Sequence, residues 1–159
     1  MRKQTPYISS SVAIKGINDS LLAKSEKDDC VVRAFASAFD ISYDFAHKKV
    51  AELFRRKNRK GTCYFGLGMR QMELNDIAIN TKRVETIKRD MNLSYWVNVK
   101  GVTKLRNMTT AKFLEDYPIG TYIVEVKGHA FTIKDGVVIG NSDDATKRKK
   151  TIFRAWKIE

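Results

Sequence analysis

Apolar residues recur at helical spacing from residue 31 to 39 and again from 45 to 54, whereas beyond residue 120 they come in short β-branched and aromatic runs. In the first stretch, Val31, Val32, Ala34, Phe35, Ala38 and Phe39 share a face, which predicts a helix capped by Asp28 or Ser25. Ser42 predicts the cap of a second helix over 42–58, with Phe45, Ala46, Val50, Leu53 and Phe54 on one face and His47 among lysines on the solvated one. The segment GTCYFGLG breaks that pattern, and a third helix is expected over 69–77.

The middle, 81–107, alternates basic with apolar residues and contains SYWVNV, a predicted strand whose Tyr95 and Trp96 are expected in the core, as are Met69 and Met72. TTAKFLEDY predicts a short helix before Pro118. GTYIVEV and HAFTIK then read as strands, Asp135-Gly136 is a strong hairpin signal before GVVIG, and TIFRAWKI supplies a final strand. Helices followed by an antiparallel sheet make an α+β class and exclude a regularly alternating parallel sheet. Residues 1–24 mix strand-like and turn-like pieces and read as an arm packed on a domain spanning 25–159.

The chain has 159 residues and 43% hydrophobic content, enough for one domain with one core. No stretch reaches the roughly 20 apolar residues of a membrane span, and the first residues lack the apolar core of a secretory signal. A host cytoplasmic or virion location is the expectation. Cys30 and Cys63 are too few for a disulfide framework and have no metal-ligand spacing around them, so neither a metal nor a cofactor is expected.

Charge changes the picture. Thirty Lys and Arg against 18 Asp and Glu give a formal +12, a field that attracts polyanions. Two runs concentrate it: Arg55, Arg56, Arg59 and Lys60 in RRKNRK, and Lys147, Arg148, Lys149 and Lys150 in TKRKKT. Together they are the candidate nucleic-acid contact, although no aromatic residues interleave them as a single-strand stacking platform would require.

Cys30 begins the first helical run, where a helix N-terminus offers partial positive charge and free N–H groups to a thiolate or to an oxyanion. Asp28 and Asp29 beside it oppose a negative sulfur. Of two histidines, His129 is the better base, because it follows Gly128 and leads an apolar strand, at a sheet edge that a helix end can approach. Cys63 is assigned no role.

The series DCVVRAFA, GTYIVEVKGHAFTIKDGVVIG and FRAWKI, spanning about 28–158, resembles the small papain-like cysteine peptidases of bacteriophages and bacteria. The resemblance implies a papain-like core, an N-terminal helical lobe against a C-terminal antiparallel sheet. It also implies Cys30 as nucleophile and His129 as general base, with a third polar residue orienting the imidazole. The family's Asp after the hairpin falls at Gly140 here, so Asn141 is the expected third residue and Asp143 the alternative. The implied activity is a peptidase or amidase acting through an acyl-enzyme on a viral or host protein or a peptidoglycan stem peptide. A non-catalytic basic protein of the virion or genome that retains the fold is the competing expectation.

Overall fold

A computed structural model describes residues 5–87, 93–146 and 151–159. In chain order the elements are β1 (Tyr7–Ser9), α1 (Ser10–Ala13), α2 (Leu21–Ser25), α3 (Cys30–Phe39), α4 (Tyr43–Phe54) and α5 (Phe65–Leu74). Next come β2 (Val84–Ile87), β3 (Ser94–Val99), β4 (Val102–Asn107), α6 (Thr110–Asp116), β5 (Thr121–Val126) and β6 (His129–Lys134). The chain closes with β7 (Val137–Gly140), α7 (Ser142–Thr146) and β8 (Arg154–Ile158). The class is α+β. Six strands form one sheet in the order β1-β7-β6-β5-β8-β2, with β1 parallel to β7 and every other pairing antiparallel; β3 and β4 make a separate hairpin.

Local chemistry explains the elements nearest the site. Ser42 caps α4 by accepting from Phe45 N, as the sequence predicts. Asp135 and Gly136 both hold positive φ, 47° and 78°, the requirement of a two-residue type I′ turn, and they close the β6–β7 hairpin. The third helix starts earlier than the sequence suggests, at Phe65 rather than 69. Gly68 sits inside it because α5 lies so close to α4 that a Cβ there would stand 1.9 Å from the Phe54 ring, and Gly66 because a Cβ there would run into the Arg154 guanidinium.

The sheet separates two hydrophobic clusters. On one face α3, α4 and α5 bring Phe35, Phe39, Val50 and Met69 against Ile123, Ala130 and Trp156. On the other, Phe113, Tyr122, Val124, Phe131 and Ile133 pack with Met108 and Ile152. Covered on both sides, β5 and β6 carry near-continuous apolar runs instead of strict alternation. Residues 5–24 are part of the same body: β1 extends the sheet edge, and Ile14 and Ile17 belong to the helical-side core.

Three expectations need correcting. Trp96 is 69% exposed, because the β3–β4 hairpin leaves its Trp96–Leu105 pair uncovered. His47 is buried rather than solvated, with Nε2 2.7 Å from Glu26 Oε1. Arg56 is buried too: its Nη2 donates to Glu26 Oε2 at 2.8 Å, so it is no surface contact for nucleic acid. Burial opposes the Glu26 carboxylate, but Arg56, His47 and the Arg59 backbone N–H outweigh it and bring its pKa down to about 2. That carboxylate ties α4 and the loop after it to the segment leading into α3.

Candidate active site

Cys30 is the first residue of α3 and stands half-buried at the end of that helix. Its N-cap is Asp29, neither of the two residues expected to cap, and the Asp29 side chain makes no capping bond. Asp29 is committed elsewhere: Oδ2 accepts from Arg33 Nε at 3.1 Å and from the Tyr43 hydroxyl at 2.7 Å. Burial and Asp29 both raise the Tyr43 pKa, so the phenol remains a donor. Of the two acids that oppose a negative sulfur, Asp29 is therefore held by two donors. Among the described residues no carboxylate caps the first-turn N–H groups of α3.

His129 opens β6 at the sheet's end, and it lines the same clefts as Cys30, whose thiol acts on its ring. Two contacts bring helix and strand together at this point. Ala130 packs into the cluster that contains α3, and the Thr132 hydroxyl donates to Ala34 O at 2.9 Å in a fully buried bond. On its other side the His129 ring meets Asp144: Nε2–H donates to Oδ2 at 3.0 Å, with Oδ1 at 2.9 Å. With Nε2 so committed, Nδ1 is the nitrogen left for sulfur.

The residue orienting His129 is thus Asp144, rather than the expected Asn141 or its alternative Asp143. Chain geometry gives the reason. The strand ends at Gly140 and the chain turns into α7 at Ser142, so the side chain that meets His129 is set by the helix rather than by position after the strand. Asn141 serves as the cap of that helix. Its Oδ1 accepts from Asp144 N at 3.2 Å while Asp144 Oδ2 accepts from Asn141 N at 2.8 Å, a reciprocal capping box in which Asp144 holds the third helical position. The pattern Asn-x-x-Asp after an apolar run was the available signal. Gly140 is required for the approach, since a Cβ there would lie 2.3 Å from Asp144 Oδ2 and 3.1 Å from Phe131 Cβ.

Asp144 is 1% exposed, and its buried charge is answered by the imidazole and by the Asn141 N–H. Burial works against the imidazolium of His129, yet Asp144 and Cys30 together overcome it and push the His129 pKa up to about 9. At neutral pH the ring is therefore positively charged and faces the sulfur.

Cys30, His129, Asp28 and Ala130 are shared by two clefts. One, of about 260 Å³, runs past Ser10, Arg33, Phe131 and Asn141; the other, of about 610 Å³, runs past Thr62, Cys63, Phe65 and Lys127. A chain lying across the Cys–His pair would find a depression on either side.

The basic runs are not brought together as one described surface. Arg55, Arg59 and Lys60 are exposed, Arg56 is buried, and Lys147, Arg148, Lys149 and Lys150 lie outside the described residues. Among the described residues no three His, Cys, Asp or Glu are grouped to hold a metal ion, and no helix is long and apolar enough to cross a membrane. Comparison with models of known protein families, with characterised proteins and with solved structures finds no match for this chain.

Proposed function

We propose that the protein is a cysteine peptidase or amidase of papain-like type, with Cys30 as nucleophile, His129 as proton carrier and Asp144 as the group that orients the ring. The observation that carries this reading is the single imidazole held between a helix-terminal sulfur and a buried carboxylate. This is the arrangement of nucleophile, base and orienter that acyl transfer requires.

In the proposed reaction the Cys30 sulfur attacks the carbonyl carbon of a bound amide, and the oxygen takes up negative charge near the uncapped N–H groups of α3. His129 then gives its proton to the leaving nitrogen, the C–N bond breaks, and a thioester to Cys30 remains. Water, deprotonated by the now neutral His129, attacks the thioester. The acid is released and the sulfur–imidazolium pair is restored. No cofactor enters these steps. The resemblance of the sequence to small phage and bacterial peptidases supports a protein or peptide substrate, and a host cytoplasmic or virion setting accords with it.

The competing reading, a basic virion or genome-associated protein without catalysis, rests on the +12 charge. One experiment separates them: pH-dependent iodoacetamide labelling, resolved between Cys30 and Cys63 by peptide mass, in the native protein and in His129→Ala. Cys30 labelling that is fast at neutral pH and slowed in the variant supports the peptidase reading. Slow Cys30 labelling at every pH in the native protein overturns it.

A further inference from the structure

A third depression, of about 680 Å³, adjoins the cleft on the Cys63 side of the candidate site, and the two share Gly61 and Cys63. Its walls are apolar: Phe54 and Leu53 from the end of α4, with Tyr64 and Leu67 at the start of α5. Tyr64 and Leu67 are 79% and 58% exposed, large apolar side chains left open to solvent around a concave surface. The rim is cationic. Arg55, Lys57 and Lys60 line it, all three are exposed, and none is ion-paired with a described residue. Behind the wall Arg56 adds two buried nitrogens, Nε and Nη1, that have no acceptor among the described residues.

We infer that this depression is an extended substrate site, taking an apolar side chain of the polypeptide substrate whose neighbouring residues are acidic. The inference builds on the reading of Cys30 and His129 as the reacting pair, and assigns that reaction a substrate class. Two observations select the occupant. The shared wall at Gly61 and Cys63 makes the depression continuous with the cleft that holds Cys30, so an extended chain seated there can reach it. The apolar walls favour burial of a side chain such as Leu or Phe, while three unpaired cations favour carboxylates beside it. A nucleic-acid backbone would use the cations and leave the apolar floor unfilled.

The test reads binding without turnover. Full-length protein carrying Cys30→Ala is titrated into fluorescein-labelled peptides EELFEE, KKLFKK and EESSEE, with anisotropy as the signal. The expected result is saturable binding of EELFEE at least about tenfold tighter than either control, the difference that a few exposed charge contacts and one buried apolar pair produce. The triple variant R55E/K57E/K60E should reverse the order of EELFEE and KKLFKK, and Leu67→Asp should weaken EELFEE, with unchanged circular dichroism in both. No saturable binding, equal affinity for all three peptides, or affinities unmoved by the triple variant overturns the inference. So does displacement of EELFEE by an oligothymidylate at lower concentration than by the unlabelled peptide, which would give the rim to nucleic acid. Rapid Cys30 labelling together with peptide indifference would overturn this inference alone. Selective EELFEE binding beside an inert Cys30 would overturn the peptidase reading and leave the depression a peptide-binding site.

Discussion

Thr132 donates its hydroxyl to the carbonyl oxygen of Ala34 at 2.9 Å, in a buried contact between residues 98 positions apart. Ala34 lies one turn beyond Cys30 and Thr132 three residues beyond His129, so this bond fixes the advance of α3 along β6. Replacing Thr132 by Val keeps the shape and removes the donor. Unfolding by urea should show a loss of about 1–2 kcal/mol. The reactivity of Cys30 towards iodoacetamide at neutral pH should fall by more than that loss of folded population accounts for.

The raised pKa of His129 sets a pH window. Because the folded value, about 9, exceeds the ordinary 6.5, the imidazolium stabilises the fold fully below about pH 6.5, and that contribution disappears as pH rises through 9. Thermal unfolding should therefore show Tm declining between these limits. In Asp144→Asn, which removes the main group raising the value, the decline should be smaller and should lie nearer pH 6.5.

Gly140→Ala tests the positioning of Asp144 without touching any reacting group. The added methyl would press on Asp144 Oδ2, which must withdraw from His129 or shift α7. The pH-dependent decline in Tm should move down in pH, as in Asp144→Asn, and neutral-pH reactivity of Cys30 should fall about tenfold or more, since misplacement by an ångström is costly. Asn141→Ala should give a milder version, restored by Asn141→Ser, because a serine can still cap α7.

Glu26 gives the opposite sign. Its folded pKa of about 2 lies below the ordinary 4.5, so its stabilisation is present above about pH 4.5 and lost as pH falls through 2. Glu26→Gln should flatten the acid limb of a stability–pH curve. It should also lower stability at pH 7 by about 3–5 kcal/mol, the cost of leaving the buried Arg56 without its carboxylate.

What the sequence showed and what it concealed divide along range. The helical period of Val31 to Phe39, the Ser42 cap and the Asp135-Gly136 turn are local signals, and each appears where its chemistry requires. Cys30 and His129 were also legible, since a helix start and a strand start are positions that sequence patterns mark. Asp144 was hidden because the chain leaves the strand at Gly140 and the orienting carboxylate comes from the first turn of α7, although the Asn-x-x-Asp capping pattern stood in plain view. His47 and Arg56 were misjudged because their carboxylate comes from Glu26, 21 and 30 residues earlier, a partner that helical periodicity does not contain. Trp96 was placed inside because a β-rich aromatic segment resembles a core strand whether or not another layer covers it.

The sheet that divides the two hydrophobic clusters also sets a timetable. Cys30 belongs to α3, whereas His129 and Asp144 follow it in the chain only after α4, α5 and β5, and β8 of the same sheet follows them. A nascent chain still short of residue 144 holds the Cys30 thiol without the imidazole of His129 and the carboxylate of Asp144, the two groups that the proposed peptidase reading needs to make it a nucleophile. A ribosome-stalled chain ending before β6 should carry a Cys30 no more reactive than an ordinary thiol, and addition of β6 and α7 should raise its reactivity.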